Sequence, residues 1–144
     1  MKDKLVSAYM DVAKRFSELS HARRLKVGAI AVKDDKIISI GFNGMPAGWD
    51  NDCENVVGFT SNSEPVYKTK PEVLHAESNC ISKLARSSES GLGADLFVTH
   101  SPCLDCAKLI YQSGIRRVYF GTAYRNEEGI AFLKRSGVDV QQAK

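Results

Sequence analysis

"ADLFVTHSPCLDCAKLIYQSGIRRVYFG", residues 94–121, decides the fold. Residues 94–100, around Leu96, Phe97 and Val98, read as a strand. The stretch from Ser101 to Gly114 reads as a helix, opened around Pro102 and closed by Gly114. Residues 116–121, "RRVYFG", read as the next strand. Strand, helix and strand in such close succession imply parallel pairing, with helices packed over the sheet.

The same logic extends in both directions. Residues 126–137, "NEEGIAFLKRSG", predict a further helix with Asn126 as its cap and Gly137 as its end, and "VDV" predicts a short last strand. Upstream, Leu5, Tyr9, Val12, Phe16 and Leu19 recur at steps of three and four, so residues 3–19 predict an amphipathic helix. "KVGAIAV" (26–32) and "KIISIGFNG" (36–44) predict a hairpin of two strands with Asp34 and Asp35 at its tip. Residues 44–71 are rich in turn formers and are expected to be irregular. A helix over 73–84 and a loop over 87–93 complete the chain. The expected order is α-β-β-α-β-α-β-α-β. It describes an α/β fold of three layers, α/β/α, around a five-stranded mixed sheet, as a single domain over residues 1–144.

Composition excludes several classes. Apolar residues make up 43% and charged residues 26% of 144 positions, an ordinary balance for a chain outside the membrane. No apolar run approaches the roughly 20 residues of a membrane span. The N-terminal segment carries Asp3 and Asp11 and lacks the apolar run of a signal peptide, so a cytoplasmic protein is expected. A net charge of +3 suits an anionic small ligand and is too weak for a nucleic-acid footprint.

Chemistry concentrates at two predicted helix starts. His75 and Glu77 stand two apart in "VLHAESNCISKL" (73–84), on different faces of the helix. Cys103 and Cys106 open the helix after the 94–100 strand. Alone, C-x-x-C reads as a redox pair or as half of a structural zinc site, and Cys80 reads as a small core residue. If the two helix starts face each other, one imidazole and two thiolates supply three ligands to a tetrahedral zinc. The fourth position stays open, as in catalytic rather than structural sites. Glu77 is then free to take a proton from water activated at that position. His21 and Cys53 are the spare ligands near the irregular segment, too few for a second zinc.

"HAE" (75–77) and "SPCLDC" (101–106) resemble the H-x-E…P-C-x-x-C signature of zinc-dependent nucleobase deaminases. "GFNGMPAGWDNDCE" (41–54) resembles the G-Y-N-G-x-P-x-G motif of the deoxycytidylate deaminase group. "SHARRLKVGAIAV" (20–32) resembles that group's first loop and strand. Asn43 and His75 stand 32 positions apart, an insertion similar to that group's and longer than in tRNA adenosine deaminases.

The resemblance implies a cytidine-deaminase-like fold, zinc held by His75, Cys103 and Cys106, and proton transfer by Glu77. It implies hydrolysis of dCMP to dUMP and ammonia, which supplies dUMP for dTTP synthesis. Asn43 is a candidate contact to the sugar or base, and Ala76 joins the candidate substrate-binding residues. Ser20, Arg23, Arg24 and Lys26 crowd the loop before the first strand as candidates for the phosphate, with Arg24 ranked first because it resembles a basic position of some phage-type members. Tyr124 is a candidate for stacking on the pyrimidine. The resemblance further implies a homohexamer activated by dCTP, with Mg2+, and inhibited by dTTP. Gly44, Met45, Pro46 and Gly48 are the candidate effector residues. Nucleic acid and membrane are not expected as partners. The rival readings are a deaminase of other cytosine compounds or of tRNA adenosine, an inactive nucleotide-binding module, and a structural zinc domain.

Overall fold

Four helices and seven strands follow one another in the computed structural model, which describes residues 1–143. They are α1 (Asp3–Ser17), β1 (Gly28–Lys33), β2 (Lys36–Phe42), β3 (Glu54–Phe59), β4 (Pro65–Thr69), α2 (Ala76–Ala85), β5 (Asp95–His100), α3 (Leu104–Gln112), β6 (Arg117–Thr122), α4 (Glu128–Arg135) and β7 (Asp139–Gln142). Five strands form the main sheet in the order β2-β1-β5-β6-β7. β1 runs antiparallel to both neighbours, while β5, β6 and β7 are mutually parallel.

The central strands β1 and β5 are buried along almost their whole length. Helices cover both faces, so the strands' apolar residues, 29–32 in β1 and 96–98 in β5, are consecutive rather than alternating. On one face, Met10 and Ala13 of α1 pack against Ile30, Val32, Phe97 and Tyr119. Phe97 stacks on Tyr119 with centroids 4.8 Å apart and meets Tyr9 at 5.2 Å. On the other face, Cys80 and Leu84 of α2, Ile110 of α3 and Leu133 of α4 pack over Ala29, Ala31, Leu96, Val98 and Val118. Each fully buried large side chain contributes about 1.5–3 kcal/mol relative to exposure. At the β1–β2 turn, Asp34 and Asp35 both have positive φ, 52° and 60°. Two such residues build the tight turn whose twist suits a hairpin.

One expectation is corrected. Residues 44–71 are not irregular throughout, because β3 and β4 form a separate two-stranded antiparallel sheet. The hairpin buries no continuous face: Val56, Val57, Phe59 and Val66 are exposed. A strand pair without a buried face leaves no alternation in its sequence. A smaller difference lies at α4, which begins at Glu128. The Asn126 carboxamide oxygen accepts from the Glu128 amide at 2.9 Å, so Asn126 serves the helix start from just outside it.

Two glycines allow neighbouring elements to approach closely near the helix starts. A Cβ at Gly41 of β2 would run into the Ala76 carbonyl oxygen and lie 2.6 Å from the Cys80 amide nitrogen. A Cβ at Gly129 of α4 would run into the Pro102 carbonyl oxygen and lie 2.9 Å from the Cys103 carbonyl. Both contacts bear on segments that carry site residues. Among the described residues, no helix is long and apolar enough to cross a membrane.

Candidate metal centre and active-site cavity

α2 and α3 start side by side beyond the C-terminal ends of the parallel strands, where open α/β sheets place their ligands. His75 immediately precedes α2, and its carbonyl accepts from the Asn79 amide at 2.9 Å and the Ser78 hydroxyl at 3.0 Å. α2 is held to β2 by the Ser39 hydroxyl donating to the Cys80 carbonyl (2.7 Å) and the Asn79 amide group donating to the Phe42 carbonyl (3.0 Å). Cys103 immediately precedes α3, with its carbonyl accepting from the Ala107 amide at 2.8 Å. Cys106 follows in the first turn.

Nδ1 of His75 lies 3.5 Å from Sγ of Cys103 and 3.3 Å from Sγ of Cys106. All three ligand atoms lie within 4.8 Å of one another. A tetrahedral zinc bonds sulfur at about 2.3 Å and imidazole nitrogen at about 2.0–2.1 Å, which separates the two ligand atoms by roughly 3.5 Å. The donor set therefore fits zinc in both chemistry and spacing. Among the described residues, no other three His, Cys, Asp or Glu side chains are gathered in this way. His21, Cys53 and Cys80 stay outside any such group.

The electrostatics favour a cation there. Contact with Cys106, then with His75, pulls the Cys103 thiol far below its ordinary range, and the helix start assists. Cys106 is pushed up, chiefly because Cys103 lies beside it. Two thiols this close shed one proton readily and hold the other, and a bound divalent cation relieves the second ionisation. Glu77, one residue into α2, is 4% exposed. Burial pushes its carboxyl up to about 7. A carboxyl in that range both takes and gives a proton at neutral pH.

A cavity of about 490 Å³ opens above the cluster, lined by His75, Ala76, Glu77 and Cys103 among others. Its volume suits a small-molecule ligand. Of the other residues singled out in the sequence, Arg24, Asn43 and Tyr124 line it too. Asn43 spans the loop before β1: its Nδ2 donates to the Leu25 carbonyl (2.7 Å) and its Oδ1 accepts from the Val27 amide (2.9 Å). The Tyr124 amide donates to the buried Ser101 hydroxyl at 2.7 Å. The Arg24 guanidinium makes no ion pair among the described residues.

Other candidates lie elsewhere. Ser20 is buried and outside the cavity lining; its hydroxyl donates to the Asn43 carbonyl at 2.7 Å and accepts from the Ala22 amide at 3.2 Å. Lys26 is exposed and also outside the lining. Gly44 pairs with Leu74 through two backbone hydrogen bonds, 3.1 and 2.8 Å. Met45 and Pro46 are half-buried, and Gly48 has a φ of 86° in an exposed turn; none of the four lines the cavity.

The cavity is also lined by His100 and Asn126, not singled out as site residues from sequence, and by Cys53, named there only as a spare ligand. His100 ends β5, three positions before Cys103, and its ring meets Tyr124 edge-on with centroids 6.1 Å apart. Burial lowers its pKa, so it is neutral near pH 7. Its Nδ1 lies 3.1 Å from the Thr99 hydroxyl, which also accepts from the Gly28 amide at 3.1 Å. Its position directly before Ser-Pro-Cys at a strand end was the available signal.

Comparison with known proteins bears on the identity of this site. The family model of the cytidine and deoxycytidylate deaminase zinc-binding region matches residues 3–122. Deoxycytidylate deaminase of Enterobacteria phage T2 is 34% identical over 169 aligned positions, covering 93% of this chain and 89% of the phage protein. Human deoxycytidylate deaminase is 39% identical over 114 positions, covering 78% of this chain and 61% of the human protein. The crystal structure of dCMP deaminase from cyanophage S-TIM5, in complex with dCMP and dUMP, superposes with a TM-score of 0.87. That match spans 99% of this chain and 98% of the other, at 45% identity. This chain belongs to the cytidine and deoxycytidylate deaminase family.

Proposed function

We propose that this deaminase converts dCMP and water to dUMP and ammonia. The carrying observation is the buried carboxyl of Glu77 beside the His75–Cys103–Cys106 cluster at the base of a nucleotide-sized cavity. The cyanophage enzyme bound to dCMP and dUMP, similar over nearly the whole chain, supports the choice of substrate.

His75, Cys103 and Cys106 would hold zinc. Bound zinc supplies the Lewis acidity that makes water a nucleophile near neutral pH. Glu77 accepts the proton that water gives up and delivers it to the ring nitrogen beside the amino-bearing carbon. It then passes the second proton of that water to the departing amino group, which leaves as ammonia while the oxygen stays as the carbonyl of dUMP. Burial keeps this carboxyl away from bulk water, so its protons pass to the reacting ring. Tyr124 offers its ring to the pyrimidine, and Asn43, held rigid by Leu25 and Val27, offers its remaining amide proton to sugar or base. Ala76 forms part of the floor. Arg24 is the best-placed cation for the phosphate because it lines the cavity and is unpaired among the described residues. Ser20 ties the same loop to the Asn43 carbonyl from outside the lining, and Lys26, exposed in that loop, adds positive charge near the cavity mouth.

The finer reading includes dUMP supply for dTTP synthesis in the cytoplasm, a homohexamer, activation by dCTP with Mg2+, and inhibition by dTTP. Gly44, Met45, Pro46 and Gly48 are its effector residues. Regulation requires dCTP to bind an active state more tightly than an inactive one, so dCTP should move a sigmoidal dCMP curve to lower dCMP concentration and toward a hyperbola. The substrate claim is tested by ammonia release from dCMP, CMP, deoxycytidine, cytosine and a tRNA anticodon stem-loop. A clear preference for dCMP is expected, and a strong preference for another compound would reject the assignment.

A further inference from the structure

Arg23 and Arg24 are neighbours with different fates, and one carboxylate separates them. Glu54 opens β3, with its side chain 1% exposed. Its Oε2 accepts from the backbone amides of both Arg23 (2.8 Å) and Arg24 (3.2 Å). Its Oε1 accepts from the Arg23 guanidinium at 3.1 Å. The same guanidinium nitrogen donates to Asp52 at 2.7 Å, and the group sits over the Tyr67 ring, 5.1 Å from its centroid. Arg23 is thus paired through one guanidinium nitrogen with two carboxylates. Arg24, with its backbone fixed by the same carboxylate, lines the cavity unpaired among the described residues.

The loop from Ser20 to Val27 has no regular structure of its own, and Ala22, Arg24 and Leu25 line the cavity from it. Side chains outside the loop hold it at two places. Asn43 grips Leu25 and Val27, and Glu54 grips Arg23 and Arg24. A rim salt bridge would be solvated and weak. A carboxylate 1% exposed with three donors is different, since burying it without them would be prohibitive.

We propose that Glu54 is a positioning residue for the anionic end of the substrate. It orients the backbone at residue 24 and occupies Arg23, so that the Arg24 guanidinium alone is presented to a phosphate. This rests on the dCMP reading, with Arg24 as the phosphate ligand.

The test is a double-mutant cycle with zinc-loaded protein. Glu54→Gln should raise KM for dCMP roughly ten-fold, equivalent to about 1.4 kcal/mol, with kcat nearly unchanged and zinc content equal to wild type. Arg24→Ala should raise KM at least as much. Adding Glu54→Gln to Arg24→Ala should have almost no further effect, because the first acts through the second. Asp52→Asn, which loosens the same cluster from its solvent side, should give a smaller KM increase that is also absent in the Arg24→Ala background; it carries the test if Glu54→Gln does not fold. Full additivity of either variant with Arg24→Ala, or a fall in kcat with KM unchanged, would overturn the proposal while leaving dCMP as the substrate. Wild-type protein with no preference for dCMP over deoxycytidine would overturn the substrate reading and this proposal together.

Discussion

Nδ1 of His75 lies 3.3 Å from Sγ of Cys106, although the two stand 31 positions apart in the chain. The fold creates that contact by starting α2 and α3 next to each other on one face of the sheet. An imidazole and two thiols so close, with one thiol pulled down and the other pushed up, are poised to bind a cation.

Removing a ligand should therefore remove the metal. Purified wild-type protein should contain one zinc per chain by metal analysis, and His75→Ala or Cys106→Ser should retain almost none after dialysis. The wild-type melting temperature should rise with added zinc, as binding to the native state alone requires. Full zinc content in either variant would show that the metal is held elsewhere.

Gly129 tests how the thiols are positioned. Its bare Cα faces the Pro102 carbonyl, and the Cys103 carbonyl lies 2.9 Å from where a Cβ would stand. Gly129→Ala must push α4 away from the loop that carries Cys103, at a cost of about 1–3 kcal/mol for overpacking. Lower zinc occupancy together with a lower unfolding midpoint is expected. Reduced stability with full zinc occupancy and unchanged kinetics would mean that the Cys103 loop does not respond to α4.

Cys80 provides a pH dependence independent of the metal. Its thiol is buried, and desolvation raises its pKa from 9.0 to about 11. In the unfolded chain the proton leaves near pH 9, while the native protein holds it to about pH 11. The native state therefore binds more protons between those values, and stability falls as pH rises through them, by a total of about 3 kcal/mol. Cys80→Ala lacks this slope. The stability difference between wild type and Cys80→Ala in urea titrations should shrink from pH 7.5 to pH 10.5. A constant difference would place the thiol in contact with water.

The sequence was most legible where physics left a local mark. β1 and β5 are buried on both faces and appear as apolar runs, so the mixed sheet and its helices could be read directly. The site could be read because its members lie in two short motifs at helix starts, His75 with Glu77 and Cys103 with Cys106. The β3–β4 hairpin was missed because Val56, Val57 and Phe59 face solvent and leave no buried stripe. Nothing local distinguished Arg23 from Arg24 either. Only Glu54, thirty-one positions from Arg23 in the chain, pairs with the guanidinium of one and not the other among the described residues.

The most direct test compares zinc-loaded wild type with Glu77→Ala, following ammonia release from dCMP. Wild type should release one ammonia per dUMP formed. The variant should keep its zinc and the wild-type fold, since Glu77 stands outside the ligand set, and should lose activity by at least roughly 10²-fold, the lower range for general acid–base catalysis. A zinc-loaded Glu77→Ala enzyme that releases ammonia at a rate near wild type would contradict the central claim.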